Sequence, residues 1–118
     1  FISSSKRGAH VAQYLQKPDP DLFARWFQAA QGTIRLLTIA PELDGAQALI
    51  ARARNLGVTV AIGHSTATLE QSLQAVMDGA SYAVHTFNAM AEFSHRAPGI
   101  AGAALSDDRQ RFARGELK

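Results

Sequence analysis

The chain has 118 residues, enough for one domain with a core and too short for two. Hydrophobic residues make up 47% and charged residues 19%, with a formal net charge of +2. That balance is ordinary for a soluble globular protein, and the excess is too small and scattered to select nucleic acid or a membrane surface. With no cysteine, disulfides and thiolate metal sites are excluded, any metal must be held by histidines and carboxylates, and a reducing, cytoplasmic setting is expected. No stretch reads as a membrane span or a signal peptide.

The opening "FISSSKRGAHVAQYLQKP" has no sustained periodicity and reads as a polar loop with a turn at Gly8. It lacks an initiator methionine and reads as starting inside a longer protein. "DPDLFARWFQAAQG" predicts a helix, with Asp19 as N-cap, Pro20 in the first helical position and Gly32 as the stop. Leu22, Phe23, Trp26, Phe27 and Ala30 fall on one face of it.

A pattern then repeats. Strand-like runs cover Ile34 to Ala40, Val58 to Gly63 and Ser81 to Phe87, starting 24 and 23 residues apart. Between them lie the helical patterns "ELDGAQALIARARNLG" and "ATLEQSLQAVMDGA", closed by Gly57 and Gly79. Strands alternating with helices at this spacing predict βα units and a parallel sheet. The strands are apolar on both faces, as expected where helices cover the sheet. "NAMAEFSHRAPGIAGAALSDD" reads mostly as loop, with a short strand or helix near Ile100 to Leu105, and "RQRFARGELK" as a frayed tail or exposed helix.

Of the four histidines, His64 ends the second predicted strand and His85 lies near the end of the third. In a parallel sheet the corresponding ends of adjacent strands lie on one edge, roughly 5 Å apart, and that edge is where α/β proteins place their chemistry. Two imidazoles there can converge on one divalent ion, with zinc favoured and iron or another transition metal as alternatives. The bland alternative is a pair of hydrogen-bonded turn histidines. A catalytic zinc needs a third protein ligand and an open position. Glu42 and Glu92 are poor candidates, because neither sits at a clear strand end, so the third ligand is expected outside the chain. His10 and Arg96 read as exposed, Asn88 as a turn residue, and Met90 and Phe93 as packing residues.

The segments "KRGAH", "APE", "GHSTAT", "VHTFNAM" and "HRAPGIAGAAL", in this order, resemble the N-acetylglucosamine-6-phosphate deacetylase family of the amidohydrolase superfamily. The resemblance runs from Phe1 to about Asp108. It implies an α/β fold built as consecutive βα units of a metal-dependent (β/α)8 TIM barrel, with residues 1–118 forming part of that catalytic domain. It implies hydrolysis of the acetamide of N-acetylglucosamine 6-phosphate to glucosamine 6-phosphate and acetate. His64 and His85 would be metal ligands. His10 would meet the substrate carbonyl, Asn88 and the Ala89 backbone would contact substrate, and Arg96 would bind the sugar phosphate, in some members across a homodimer interface. The small-molecule sugar phosphate is the expected partner, with neither nucleic acid nor membrane.

Two parts of the family pattern are missing. The glutamate ligand belongs to a "LEGP"-like motif just before the position of Phe1, and the acid/base aspartate is expected beyond residue 118. A full barrel needs roughly 200 residues or more, so the chain is read as an incomplete barrel, inactive or nearly so in isolation. Two other readings stay open: a non-catalytic α/β module that binds a sugar phosphate, and a related amidohydrolase acting on another N-acyl substrate.

Overall fold

The computed structural model describes residues 1–106; the expected tail Arg109 to Lys118 lies outside the described residues. The opening segment is loop, as its composition predicts, tightened by short 3-10 turns at Ser4–Lys6 and Ala12–Tyr14. Helix α1 spans Pro20–Ala29. The Asp19 carboxylate accepts from the N–H groups of Asp21 and Leu22 at 2.9 and 3.0 Å, satisfying donors that the first turn leaves unpaired. Phe23 is buried, while Trp26 on the predicted face stays partly exposed and stacks on Phe1 with ring centroids 5.2 Å apart. The stripe therefore splits, one part facing the core and one part facing the N-terminal segment.

Strands β1 (Leu36–Ile39), β2 (Thr59–Ile62) and β3 (Tyr82–Ala83) form one parallel sheet in the order β1-β2-β3. The register pairs Ile39 with Ile62 and Ile62 with Ala83. The first two strands occupy the middle of their predicted runs. The third is much shorter than the run Ser81 to Phe87. Its ladder gains one more bond, from Val84 N–H to the Ile62 carbonyl, and then the chain turns away. His85 and Phe87 take φ of +33° and +75°, which are incompatible with an extended strand.

Helix α2 spans Ala46–Asn55 and packs on β2 and on α1. It starts later than its sequence pattern, because Glu42 to Gly45 form turns. Gly45 is required at that start: its φ is +84°, and a Cβ there would lie 2.7 Å from the Pro18 carbonyl oxygen. Helix α3 spans Leu69–Asp78 and opens with a reciprocal capping box between Thr68 and Gln71. The predicted element near Ile100 is a helix, α4, Gly99–Leu105, and it packs against α3 and β3. Phe23, Ile39, Leu49, Ile50, Val60, Ile62, Met90 and Ile100 meet in one core. Burial of that apolar surface is the main favourable term holding the units together. No helix among the described residues is long and apolar enough to cross a membrane.

Candidate metal centre

The C-terminal edge of the sheet is built by the loops that follow β1, β2 and β3. Gly63 ends β2 because there is no room for a side chain: a Cβ would fall 2.3 Å from Val84 Cγ2. This close approach of β2 to the segment after β3 sets His64 and His85 side by side. His64 takes φ +47°, a left-handed conformation that costs a non-glycine residue about 1–2 kcal/mol. Its neighbours hold it there. Its carbonyl accepts from Ser3 N–H at 2.9 Å, and Ser65 N–H donates to the Ala89 carbonyl at 3.1 Å.

The two rings meet through their Nε2 atoms, 3.0 Å apart. Each ring is anchored through its other nitrogen. His64 Nδ1–H donates to the Lys6 carbonyl at 2.8 Å, and His85 Nδ1–H donates to the Asn88 carbonyl at 3.0 Å. A carbonyl only accepts, so both Nδ1 atoms carry the hydrogen, and in neutral rings both Nε2 atoms present lone pairs. Two lone pairs at this distance repel unless a cation or a proton lies between them. An Nδ1–H tied to a backbone carbonyl is the outer arrangement that orients metal-bound histidines. Two zinc–nitrogen bonds at a tetrahedral centre would hold the nitrogens about 3.3 Å apart, within a few tenths of an ångström of what is found. The donor set therefore fits a divalent metal. It is incomplete by itself, since no group of three or more His, Asp or Glu side chains suited to a metal occurs among the described residues.

The other sequence-predicted residues divide into two sets. His10 joins the pair, its ring centroid 4.9 Å from that of His64. His10, His64 and His85 line one side of a cleft of about 580 Å³, whose remaining wall includes Ile2, Val11, Tyr14, Leu15 and Val84. Asn88 and Ala89, in the turn after His85, are not part of the cleft lining. Asn88 contributes the carbonyl that orients His85, and the Ala89 carbonyl is taken by Ser65. Arg96 is exposed in the loop before α4 and is not part of the cleft lining. Glu92 is likewise exposed.

Sequence reasoning missed the part played by Glu42. Its carboxylate receives Ser65 Oγ–H at 2.5 Å, Thr66 N–H at 2.7 Å and Thr66 Oγ1–H at 3.1 Å. The available signal was a carboxylate just past one strand and two hydroxyl residues just past the next.

No family model matches the chain. It is 42% identical over 109 residues to the N-acetylglucosamine-6-phosphate deacetylase of Bos taurus, an overlap of 91% of this chain and 27% of that protein. Among solved structures, the N-acetyl-D-glucosamine-6-phosphate deacetylase of Mycobacterium smegmatis superposes with a TM-score of 0.85 at 44% identity, covering 87% of this chain and 27% of that one. Over about nine tenths of its own length the chain is similar to N-acetylglucosamine-6-phosphate deacetylases. It spans about 27% of the length of the curated relatives that it matches. A point mutant of the Mycobacterium smegmatis enzyme, solved in complex with N-acetyl-D-glucosamine-6-phosphate, matches with a TM-score of 0.84. The Pasteurella multocida deacetylase matches at 33% identity with a TM-score of 0.79. The family expectation drawn from the five segments thus agrees with both comparisons, and the parallel βα arrangement agrees with the fold of the family.

Proposed function

We propose that these residues form part of the metal-binding edge of an amidohydrolase barrel that hydrolyses the acetamide of N-acetylglucosamine 6-phosphate to glucosamine 6-phosphate and acetate. The observation that carries this reading is the pair of Nε2 atoms 3.0 Å apart, each ring oriented by a backbone carbonyl on its Nδ1. His64 and His85 are the proposed ligands of a divalent metal, zinc in the first instance. A bound metal of this kind lowers the pKa of a water ligand and polarises a carbonyl. The third ligand, a carboxylate, and the acid/base aspartate are assigned outside the 118 residues.

The chain's own side chains then do the following work. Lys6 and Asn88 carbonyls hold the two imidazoles in the tautomer whose Nε2 lone pair faces the cleft. His10, beside His64 at the mouth, donates to the substrate carbonyl oxygen and to the oxyanion that forms there, a contact that strengthens as charge develops. The Asn88 side chain and the Ala89 backbone flank the substrate in the turn behind His85. Arg96 is assigned to the 6-phosphate, which its planar fork matches in charge and geometry. Its exposed position outside the cleft lining agrees with delivery to a site shared between two copies, so a homodimer of the whole enzyme is part of the proposal. The whole enzyme acts on a small sugar phosphate in the cytoplasm.

The test is metal retention. The chain is equilibrated with Zn²⁺, dialysed, and its bound metal measured by mass spectrometry. Retention by the wild-type chain and loss in both His64→Ala and His85→Ala support the reading, whereas equal retention in all three sinks it. Placing Arg96→Ala in a full-length family member separates the substrate assignment from the metal assignment. Unchanged affinity for the phosphorylated sugar there would remove the 6-phosphate from the proposal.

A further inference from the structure

The loop that carries His64 is left-handed at its first residue and has no regular ladder to keep it in place. Three neighbouring segments grip it: the N-terminal segment, through Ser3 N–H on the His64 carbonyl and the Lys6 carbonyl on His64 Nδ1, and the loops on either side. On the β3 side the grip is one backbone bond, Ser65 N–H to the Ala89 carbonyl, beside the isolated bridge between Ser65 and Met90. On the β1 side it is the half-buried carboxylate of Glu42, with its three short bonds to Ser65 and Thr66. Ser65 is fully buried, and its hydroxyl also accepts from Ala67 N–H at 2.9 Å. A relay therefore runs from Ala67 through Ser65 to Glu42, covering the residues between His64 and the start of α3. Hydrogen bonds to an ionised acceptor are about twice as strong as neutral ones. No apolar side chain can replace them without stranding the buried Ser65 hydroxyl.

We propose that Glu42 is a positioning residue: its carboxylate locks the Ser65–Thr66 backbone and thereby holds the His64 imidazole against His85. Glu42 does not touch the ring and is not a metal ligand. It acts on the one segment whose conformation decides where Nε2 of His64 points. Without it, His64 can relax toward a right-handed backbone, and the two Nε2 atoms separate. Outer groups of this kind typically change metal affinity by 10- to 100-fold when removed. The metal consequence rests on the ligand assignment proposed above, whereas the geometric claim does not.

The test uses the 118-residue chain in two arms. In the metal-free arm, NMR follows the cross-relaxation between the His64 and His85 ring protons and the His64 ring nitrogen shifts. Glu42→Ala is expected to abolish the ring–ring cross-peak. Glu42→Gln keeps one acceptor oxygen for Thr66 N–H and is expected to weaken the cross-peak. In the metal arm, Zn²⁺ titration is expected to show a loss of affinity of about 10- to 100-fold for Glu42→Ala and a smaller loss for Glu42→Gln. Gly57→Ala, a comparable perturbation on the opposite edge of the sheet, is expected to leave both readouts at the wild-type value, which a merely global loss of stability would not. An unchanged cross-peak and unchanged ring shifts in Glu42→Ala overturn the inference. If the wild-type chain takes up no Zn²⁺, the ligand assignment falls, and the metal-free arm alone decides the role of Glu42. Because Glu42→Gln preserves the carbonyl acceptor and the volume, it keeps the test decisive if Glu42→Ala fails to fold.

Discussion

The two edges of the sheet solve the same problem differently. At the N-terminal edge, where helices return to strands, left-handed turns are made by Gly32, Gly57 and Gly79, with Gln31 as a non-glycine companion. At the C-terminal side, Gly8, Gly45 and Gly99 also take positive φ, but so do four residues with side chains, His64, His85, Phe87 and Ala89. Glycine reaches this region without a Cβ clash, and the other residues do so at a cost. The first edge is built for turning the chain, and the second keeps side chains at positions where glycine would be easier. Non-glycine residues in such conformations persist only when the surroundings over-determine them. Here Glu42, Ser3 and Ala89 supply that constraint through bonds to Ser65, Thr66 and the His64 carbonyl.

The largest expected effect breaks the contrast at the histidines. His64→Ala and His85→Ala should each lower Zn²⁺ affinity by at least about 100-fold, exceeding the effect of removing a group that only orients a ligand. Calorimetric titration reads the loss, and a residual affinity within about threefold of wild type would count against a shared ion. Next comes Gly63→Ala, which places a methyl against Val84 Cγ2. Over-packing of this sort costs about 1–3 kcal/mol, visible as a lower urea midpoint. Val84→Ala in the same chain should recover part of it by making room.

Two changes at the opposite edge sharpen the comparison. A Cβ at Gly57 meets nothing within 4 Å, so Gly57→Ala isolates the backbone penalty of φ +76°, about 1 kcal/mol. Gln31→Gly runs the other way at an exposed residue with φ +51°. It should stabilise by about 0.5 kcal/mol, the relief of the left-handed strain being larger than the added unfolded-chain entropy. Opposite shifts in the urea midpoint, the Gly57→Ala loss about twice the Gln31→Gly gain, would measure the cost that the histidine edge carries.

The smallest expected effect lies at the start of α3. Glu70 has its pKa lowered below the ordinary 4.5, first by its own backbone N–H and then by the Thr68 side chain. A depressed folded-state value means that the contribution is present above the unfolded pKa and is lost as pH falls through the folded one. Glu70→Gln should therefore lower neutral-pH stability slightly and leave stability below both pKa values unchanged, making the acid limb of the stability–pH profile slightly shallower. A larger neutral-pH loss would place the carboxylate in a contact other than these two.

The βα alternation, the helix cap at Asp19, and the strand-end placement of His64 and His85 were legible because each depends on local spacing and turn chemistry. The early end of β3 was not. Its apolar run continues to Phe87, and only the close approach of Val84 to Gly63, with the turn it precedes, stops the ladder. Glu42 looked like an awkwardly placed residue beside Pro41, since its partners lie more than twenty positions away on another loop.

The sequence by itself determined which residue types reach the working edge and roughly where each unit begins, because periodicity, capping and glycine placement act over a few residues. The tertiary structure alone decided that two Nε2 atoms face each other at 3.0 Å, that each ring is oriented by a carbonyl, and that Glu42 grips the loop between them. Those facts arise from strand register and from one missing Cβ at Gly63, which lets neighbouring loops approach closely enough to share hydrogen bonds.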